Sequence, residues 1–296
     1  MPILAIDTSA AIACSVVDDS GSPLAHRVIP GRRQHAELLT PLIAELLGEA
    51  TIGVKDLTAI AVGTGPAPYT GLRVGIVAAR VMGMALDIPV WGVPSLDAMA
   101  YEAVIRGGLT EGSEILVVAD ARRKEVYWAR YAALLAATTR MVPVAPGGTV
   151  IPGRIPCPRV IAGPAVGSAA EVAAMLDGAA VPDGSAVLDG DAVDGGAAAD
   201  GGAAAGDAAA GAGDAAAVGG ITVVGAGAAL YADVWGTHSA SDQPFTPLTP
   251  DPSLLATIAI RRNAGGVDQP SEPLYLRRPD IDPGVARVVP ATGTSQ

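Results

Sequence analysis

The first hundred residues alternate apolar runs with turns and helical stripes, and this order permits few folds. Three short apolar runs separated by turn residues predict a meander of three strands. They occupy residues 2–9, 12–19 and 24–29. Helix, strand, helix and strand are then predicted at residues 34–50, 58–63, 72–86 and 90–93, with Ser95 as the N-cap of a further helix. Strands in a meander followed by alternating helices and strands predict an α/β lobe.

A second lobe is predicted to follow. A buried strand at residues 115–119 has a hairpin partner at 126–131, and the later segments 221–224, 253–261 and 273–276 are predicted as strand, helix and strand. We therefore predict an N-terminal lobe over residues 1–107, a C-terminal lobe over 108–278, and a loose tail over 279–296.

Residues 177–220 differ in composition from the rest of the chain. Of these 44 residues, 17 are Ala, 12 are Gly and 8 are Asp, and they carry −8 of the formal charge of −11. Repeated glycine destabilises a helix, and no large side chain is present to offset this by burial. The segment is predicted to be a disordered insert, either a tolerated surface insertion or an acidic tether. The remaining charge of −3 does not by itself suggest a nucleic-acid binder.

A carboxylate and two hydroxyls, those of Asp7, Thr8 and Ser9, end the first predicted strand. Such groups hold a phosphate or Mg²⁺ in some kinases. They also form hydrogen bonds to the backbone of their own turn, as the side chains of Asx and Ser/Thr turns do. Both interpretations stay open.

The run from Gly63 to Arg73 is the most distinctive in the chain, since its glycines and prolines impose an unusual backbone before a helix. Its motif residues are Gly65, Pro66, Thr70, Gly71 and Arg73. Thr70 or Gly71 is predicted to cap the next helix, whose N-terminus would then attract an anion. No Gly-Lys-Ser/Thr follows, so the run is not a phosphate-binding P-loop. The alternative is a rigid connection in which Arg73 packs against a carboxylate.

The helix after this loop places Gly75, Ala79 and Gly83 on one face, so another element can approach closely. That face is either buried inside the lobe or meets a partner chain. A partner surface would comprise Leu38, Leu42, Leu46, Gly75, Ile76, Ala79, Met82 and Gly83. On the partner interpretation, Ala79→Arg would block association and leave the monomer folded.

Charges at Arg73, Arg80 and Asp87 argue against a lipid environment for this helix. The N-terminus lacks the basic segment of a signal peptide, and the two cysteines form no Cys-x-x-Cys pair. We therefore expect a cytoplasmic protein with no membrane partner.

The densest basic and aromatic cluster lies in the predicted hairpin. It comprises Arg122, Arg123, Lys124, Trp128, Arg130 and Tyr131. Such a mixture can contact RNA, although a hairpin with a solvated charged face is the commoner explanation. The three histidines have no spacing typical of metal ligands, so no metal site is expected.

Several motifs in order resemble the TsaB (YeaZ) family. They are MPILAIDTSAAIACSVVDD, RRQHAELLTPLI, GTGPAPYTGLRVGI, PVWGVPSLDAMA, DARRKEVYWARY and EPLYLRR. The resemblance covers most of residues 1–131 and is thinner from about 150 to 278. It implies a two-lobed actin-like, Hsp70-like or sugar-kinase (ASKHA) fold with a degenerate phosphate loop at Asp7, Thr8 and Ser9.

The resemblance also implies a function. Members of the family are non-catalytic scaffold subunits that pair with the catalytic paralogue TsaD and, with the ATPase TsaE, place threonylcarbamoyl on the adenosine beside the anticodon of tRNA. A homodimer is implied when TsaD is absent, and no catalytic residue or cofactor is expected in this chain. The alternatives are an active ATP-dependent kinase of the same fold, for which only Gly225-Ala226-Gly227 suggests a second nucleotide-binding element, and a metallopeptidase, which lacks ligand spacing.

Overall fold

Two β-sheets, each covered by helices, organise the chain. The computed structural model describes residues 1–31, 35–107, 109–137, 154–156, 158–176, 221–236 and 248–277. The predicted insert at 177–220 and the predicted tail at 279–296 lie outside the described residues.

The first sheet has five strands in the order β3-β2-β1-β4-β5. They are β1 (Ile3–Asp7), β2 (Ile12–Val17), β3 (Pro23–Ile29), β4 (Ala59–Gly63) and β5 (Val90–Val93). The first three strands form the predicted antiparallel meander, and β4 and β5 extend the sheet in parallel. The three turn-connected strands and the two strands reached through helices are thus confirmed.

Alternate side chains of this sheet enter two different cores, as the two-residue period of a strand requires. Leu4 and Ile6 pack with helices α1 (His35–Glu49) and α2 (Tyr69–Leu86). Ile3 and Ala5 pack on the other face, with α3 (Ser95–Gly107) and α7 (Pro252–Ala264). A short 3₁₀ helix, Val54–Asp56, precedes β4.

The second sheet has the order β10-β7-β6-β11. Its strands are β6 (Glu114–Arg122), β7 (Glu125–Ala132), β10 (Arg159–Ser168) and β11 (Thr222–Val224). Helices α4 (Ala169–Leu176), α5 (Ala226–Leu230) and α6 (Ala232–Trp235) cover one face, and β8 (Leu135–Ala137) pairs with β9 (Arg154–Pro156) beside it. The hairpin of β6 and β7 confirms the prediction for residues 115–131.

Helix α3 lies between the two sheets and is buried on every side from Ser95 to Ile105. Its Tyr101 packs toward the first sheet, and its Met99 packs toward the second. Asp97 of the same helix accepts hydrogen bonds from the Tyr131 hydroxyl at 2.8 Å and from Arg262 at 2.6 Å. Two sheets with helices on their faces confirm the predicted two-lobed α/β class, while the lobe boundaries at 107 and 278 stay a prediction.

Helix α7 was expected among the elements of the second lobe, but it packs on the first sheet. Leu254, Leu255 and Ala259 are buried against Ile3, Ala5 and their neighbours. The C-terminal part of the chain thus completes the core of the N-terminal sheet.

The predicted strand at residues 273–276 is absent from the structure. The Leu274 amide makes an isolated hydrogen bond to the Thr64 carbonyl at 2.8 Å instead of joining a ladder, and just before the segment the Gln269 carbonyl accepts from the Gly92 amide at 2.9 Å. Its side chains are only partly buried, with Tyr275 39% exposed, and a short apolar run does not by itself establish strand pairing.

A buried carboxylate on α3 makes the stability of the fold dependent on pH. Burial, and then the charge of Asp251, raise the pKa of Glu102 from 4.5 to about 7, while Arg106 at 2.5 Å lowers it. The folded state therefore holds this proton more tightly than the unfolded state, and its contribution to stability is greatest at pH values below 4.5.

We expect the free energy of unfolding to fall as the pH rises from 4.5 to about 7, because Glu102 must lose a proton that the fold retains. The slope from this group should be about 1 kcal/mol per pH unit. Urea unfolding of the natural chain and of Glu102→Gln across this pH range measures this slope, as the difference between the free energies of unfolding of the two proteins. Parallel curves for the two proteins would contradict the assignment.

Candidate functional site

The carboxyl ends of β1 and β4 meet at one edge of the first sheet, where α/β proteins commonly bind ligands. Asp7 ends β1 and is 1% exposed. Its Oδ1 accepts hydrogen bonds from the Ser9 amide at 2.8 Å and the Ser9 hydroxyl at 2.6 Å, and its Oδ2 accepts from the Ser95 hydroxyl at 2.6 Å. Burial raises the pKa of Asp7, and the bonds from Ser9 and Ser95 partly oppose this.

The neighbouring hydroxyl of Thr8 is also engaged by the chain itself. Its Oγ1 accepts from the Gly75 amide at 3.1 Å and donates to the Gly71 carbonyl at 2.8 Å, which fixes the first turns of α2 on β1. The contacts of Asp7, Thr8 and Ser9 thus favour the turn interpretation over the phosphate interpretation.

Ser95 has a different role from the predicted N-cap. It is the first residue of α3, and its hydroxyl donates to Asp7 and accepts from the Gly65 amide at 3.1 Å. The adjacent Gly63 has no room for a side chain, because a Cβ there would lie 1.9 Å from Asp7 Oδ2. Asp7, Ser95 and the loop after β4 therefore form one buried polar cluster.

The motif loop also differs from its prediction in two details. Helix α2 begins at Tyr69 after Pro68, so Thr70 and Gly71 lie inside the helix and do not cap it. Among the described residues, Arg73 packs against aromatic rings and not against a carboxylate: its Nε donates to the Tyr275 hydroxyl at 2.9 Å, and its guanidinium lies 4.1 Å from the centre of the Tyr69 ring. Tyr275 was missed because it is 202 residues away in the sequence.

The face of α2 that carries the small residues is internal. Ala79 is 0% exposed, and Ile76, Leu42 and Leu46 lie in the same core. Gly75 and Gly83 approach Thr8 and Val90 so closely that a Cβ would clash. These six residues of the predicted partner surface are therefore core residues of this chain.

The remaining two residues of that predicted surface lie at the edge of the core. Leu38 is 37% exposed, and Met82 is partly buried against the same cluster. The exposed apolar side chains of α2 are instead Val77, Val81 and Met84, at 55%, 59% and 84%. We call these three residues the outer stripe of α2.

By length and composition α2 is also the one helix within the described ranges that could cross a membrane, with a mean hydropathy of 1.2 over 18 residues. In the structure its inner face packs on β1 and β4, and Arg80 on its flank bonds to Ser271 and Glu272. The helix is thus an integral element of the first lobe.

The hairpin cluster is divided by the fold. Trp128 and Tyr131 are 3% and 1% exposed and belong to the two cores of the second sheet, and Arg130 pairs with Glu114. Arg122, the last residue of β6, and the turn residues Arg123 and Lys124 are exposed. The aromatic residues predicted to accompany the basic residues therefore point into the protein.

A small cavity lies near Asp7, between residues of the first lobe and residues of the second. It measures about 20 Å³ and is lined by Ser9, Asp120 and Ala226 among others, which is room for about one water molecule. Gly225, which the kinase alternative would use, has φ +109° and packs against the Val118 carbonyl, where a Cβ would lie at 2.1 Å. Packing against β6 accounts for this glycine-rich turn.

Among the described residues, no group of three or more His, Cys, Asp or Glu side chains is placed to hold a metal ion. The histidines are also dispersed: His26 lies on β3 near Asp251, and His238 falls outside the described part of the chain.

Comparison with known sequences identifies relatives of part of the chain. The family described as TsaD, tRNA N6-adenosine threonylcarbamoyltransferase, matches residues 27–145. An uncharacterized protein of Mycobacterium tuberculosis is 48% identical over 131 residues, which cover 44% of this chain and 58% of that protein. The tRNA threonylcarbamoyladenosine biosynthesis protein TsaB of Escherichia coli is 38% identical over 133 residues, 44% of this chain and 55% of that protein. The chain thus spans a little over half the length of these curated relatives.

Comparison with solved structures extends over more of the chain. A Pseudomonas aeruginosa protein described as uncharacterized, with similarity to peptidase YEAZ, superposes with a TM-score of 0.60 at 24% identity and covers 93% of this chain and 99% of its own. At this identity the likeness shows the fold alone. Together the comparisons confirm the resemblance to the TsaB (YeaZ) family, and the chain shares the fold of the solved YeaZ structures.

Proposed function

We propose that this chain takes part in the biosynthesis of threonylcarbamoyladenosine in tRNA as a non-catalytic subunit that pairs with a TsaD-type catalytic protein. The observation that carries the proposal is the 38% identity to the TsaB protein of Escherichia coli. Transfer of the modification and hydrolysis of ATP would then be the work of the TsaD-type and TsaE-type proteins. Because tRNA is modified there, we expect the chain to act in the cytoplasm.

The contacts at the edge of the first sheet support a scaffold role. A catalytic acid or phosphate ligand needs an accessible oxygen, whereas both Asp7 oxygens accept hydrogen bonds from Ser9 and Ser95. The cavity of about 20 Å³ beside them is far below the roughly 300–1,000 Å³ of sites that enclose a small-molecule ligand. Neither feature favours an active kinase.

The outer stripe of α2 supports pairing. Val77, Val81 and Met84 form an apolar row on a helix whose opposite face is already buried, and such rows commonly mark protein contacts. The TsaD family profile matches residues 27–145, a range that includes this helix. Two similar lobes can pair about a pseudo-twofold axis through the same helix on each side. A homodimer through this stripe is the expected state without the TsaD-type partner.

Replacement of a bacterial tsaB gene by the gene for this chain, supplied with the TsaD of its own organism, tests the proposal. We expect threonylcarbamoyladenosine to return to the tRNA, as measured by mass spectrometry of nucleosides. The purified chain alone should bind ATP weakly and hydrolyse little of it. Robust ATP turnover by the pure chain, lost in Asp7→Ala, would establish the kinase alternative in place of this proposal.

A further inference from the structure

The exposed face of α2 is longer than its outer stripe. Arg73 lies four residues before Val77 in the sequence, so the helical period places it on the same side of α2 as the stripe. Arg73 is exposed, as are the three members of the stripe. Asp87 follows the last residue of the helix and is also exposed. The apolar stripe therefore has a positive charge before it and a negative charge after it.

The guanidinium of Arg73 is held in place by the chain itself. Its Nε donates to the Tyr275 hydroxyl at 2.9 Å, and its central carbon lies 4.1 Å from the centre of the Tyr69 ring and 6.0 Å from that of Tyr275. These contacts use the Nε–H, and within the described residues no carboxylate pairs with the group. Its Nη1 and Nη2 can therefore bind an acidic group of another molecule, and little side-chain freedom is lost when they do.

Asp87 carries its charge at an unfavourable end of the helix. It is the C-cap of α2, with φ 55°, and its amide donates to the Gly83 carbonyl. The carboxyl end of a helix is the negative end of its dipole, where a cation is stabilised and an anion is not. The last turn of α2 contains no basic residue, and Asp87 forms no ion pair in the described part of the chain. A cation supplied by another molecule would therefore be stabilised at this position.

A second copy of α2, packed antiparallel on the first, supplies both missing partners. The middle of the outer stripe lies near residue 80, and Arg73 and Asp87 are each seven residues from it, or about 10 Å along the helix axis. A twofold axis at this point brings Arg73 of each copy toward Asp87 of the other and sets the two helix dipoles in opposite directions. Helices that cross at about 20° stay close over such a length.

The flanks of α2 leave this face open. On one flank Arg80 donates to Ser271 and Glu272, each at 2.9 Å, so the segment after α7 lies along that side. On the other flank Val74 and Ala78 pack against the core that α1 shares. Within the described residues the outer stripe stays uncovered between these two boundaries. A symmetric contact also requires a surface that complements itself, and a face with opposite charges at its two ends meets this requirement.

We propose that two copies of this chain associate through an antiparallel contact of their α2 helices, with Arg73 of each copy bound to Asp87 of the other. The inference rests on the proposed function, because it takes the outer stripe as the contact surface and assigns the charges that fix its register. The apolar stripe drives association, and the two ion pairs select the arrangement. A parallel contact would set Arg73 beside Arg73 and Asp87 beside Asp87, which like-charge repulsion disfavours.

Analytical ultracentrifugation of charge-reversal variants of the full chain tests the proposal. Arg73→Glu and Asp87→Arg should each raise the dissociation constant of the dimer by about tenfold, because exposed ion pairs are individually weak but the twofold axis repeats each change. An equimolar mixture of the two variants should regain nearly the affinity of the natural chain, because a mixed dimer contains one natural pair and one reversed pair. Arg159→Glu, a charge reversal at an exposed position of β10 in the second sheet, is the matched control and should dimerise as the natural chain does.

Several results would overturn the proposal: a natural chain that sediments as a monomer at every concentration up to its solubility limit, variants that dimerise as the natural chain does, or a mixture that associates no better than either variant alone. Circular dichroism checks the fold of each variant. Asp87→Asn tests the site independently, since asparagine also tolerates the left-handed conformation, and it should weaken the dimer by about threefold.

The TsaD-type protein is the other possible occupant of this surface. A natural chain that stays monomeric, together with Arg73-dependent binding to the TsaD-type protein, would assign the face to that protein and overturn the inference. The proposed function can also fail separately. Restored tRNA modification by a chain that stays monomeric would refute only this inference, whereas a charge-dependent dimer without restored modification would refute only the proposed function.

Discussion

Replacing Ala79 with arginine should prevent the chain from reaching its native fold. Ala79 is 0% exposed and packs in the core shared by α1, α2 and the first sheet. Arginine would overfill this space and bury an unpaired charge, at a cost at or above about 4–5 kcal/mol, the upper end for single substitutions. Most domains have a total stability of about 5–15 kcal/mol. Loss of the near-ultraviolet circular dichroism signal and elution as an expanded or aggregated species would show the effect.

The matched control for this change is Ala85→Arg. It introduces the same side chain on the same helix at an exposed position, so its unfolding curve should match that of the natural chain within about 0.5 kcal/mol. A folded Ala79→Arg protein would contradict the packing of α2 described here. It would favour the alternative interpretation of this face as a partner surface.

Val81→Arg should weaken association with the TsaD-type partner by about 30-fold or more and leave the monomer folded. Val81 is 59% exposed at the middle of the outer stripe of α2. A charge at the centre of an apolar contact loses its hydration without gaining a partner, and central interface positions commonly contribute 2 kcal/mol or more, roughly a 30-fold change in affinity. Light scattering and calorimetry with the purified TsaD of the same organism measure the loss.

Val54→Arg provides the corresponding control. Val54 is 45% exposed on the 3₁₀ helix before β4 and receives the same substitution away from the stripe. We expect normal partner binding from Val54→Arg. If Val81→Arg binds as tightly as Val54→Arg, the interface lies on another surface and the role assigned to the outer stripe is wrong.

The strands and helices of the first lobe were predictable because each one depends on local spacing. The meander, α1 and β5 follow from apolar periodicity and turn residues. Spacing also placed Gly75, Ala79 and Gly83 on one face of α2, as the structure confirms. The spacing did not show whether that face packs against the chain's own sheet or against another protein. Small and apolar residues are favoured in both cases.

The contacts of the candidate sites were less predictable because their partners are distant in the sequence. The hydroxyl of Ser95 donates a hydrogen bond to Asp7, which is 88 residues away in the sequence. A residue type that is common at helix N-caps therefore has a different role here. The basic residues at Arg122 were evident, but Trp128 and Tyr131, which were predicted to accompany them, are buried. Alternation along β7 sends those two rings into the cores, and Tyr275 is brought to the turn only by the path of the chain after α7.

The position of α7 has a consequence for how the protein is made. During translation the first sheet emerges early, yet part of the apolar face that carries Ile3 and Ala5 is covered only by Leu255 and its neighbours. In a nascent chain this surface therefore stays exposed after the first sheet is complete at Val93, until the chain has been made as far as α7 (Pro252–Ala264). Contacts of such long sequence separation slow folding and leave apolar surface open to aggregation. We expect chaperones to bind the first lobe during the interval before α7 covers its apolar face.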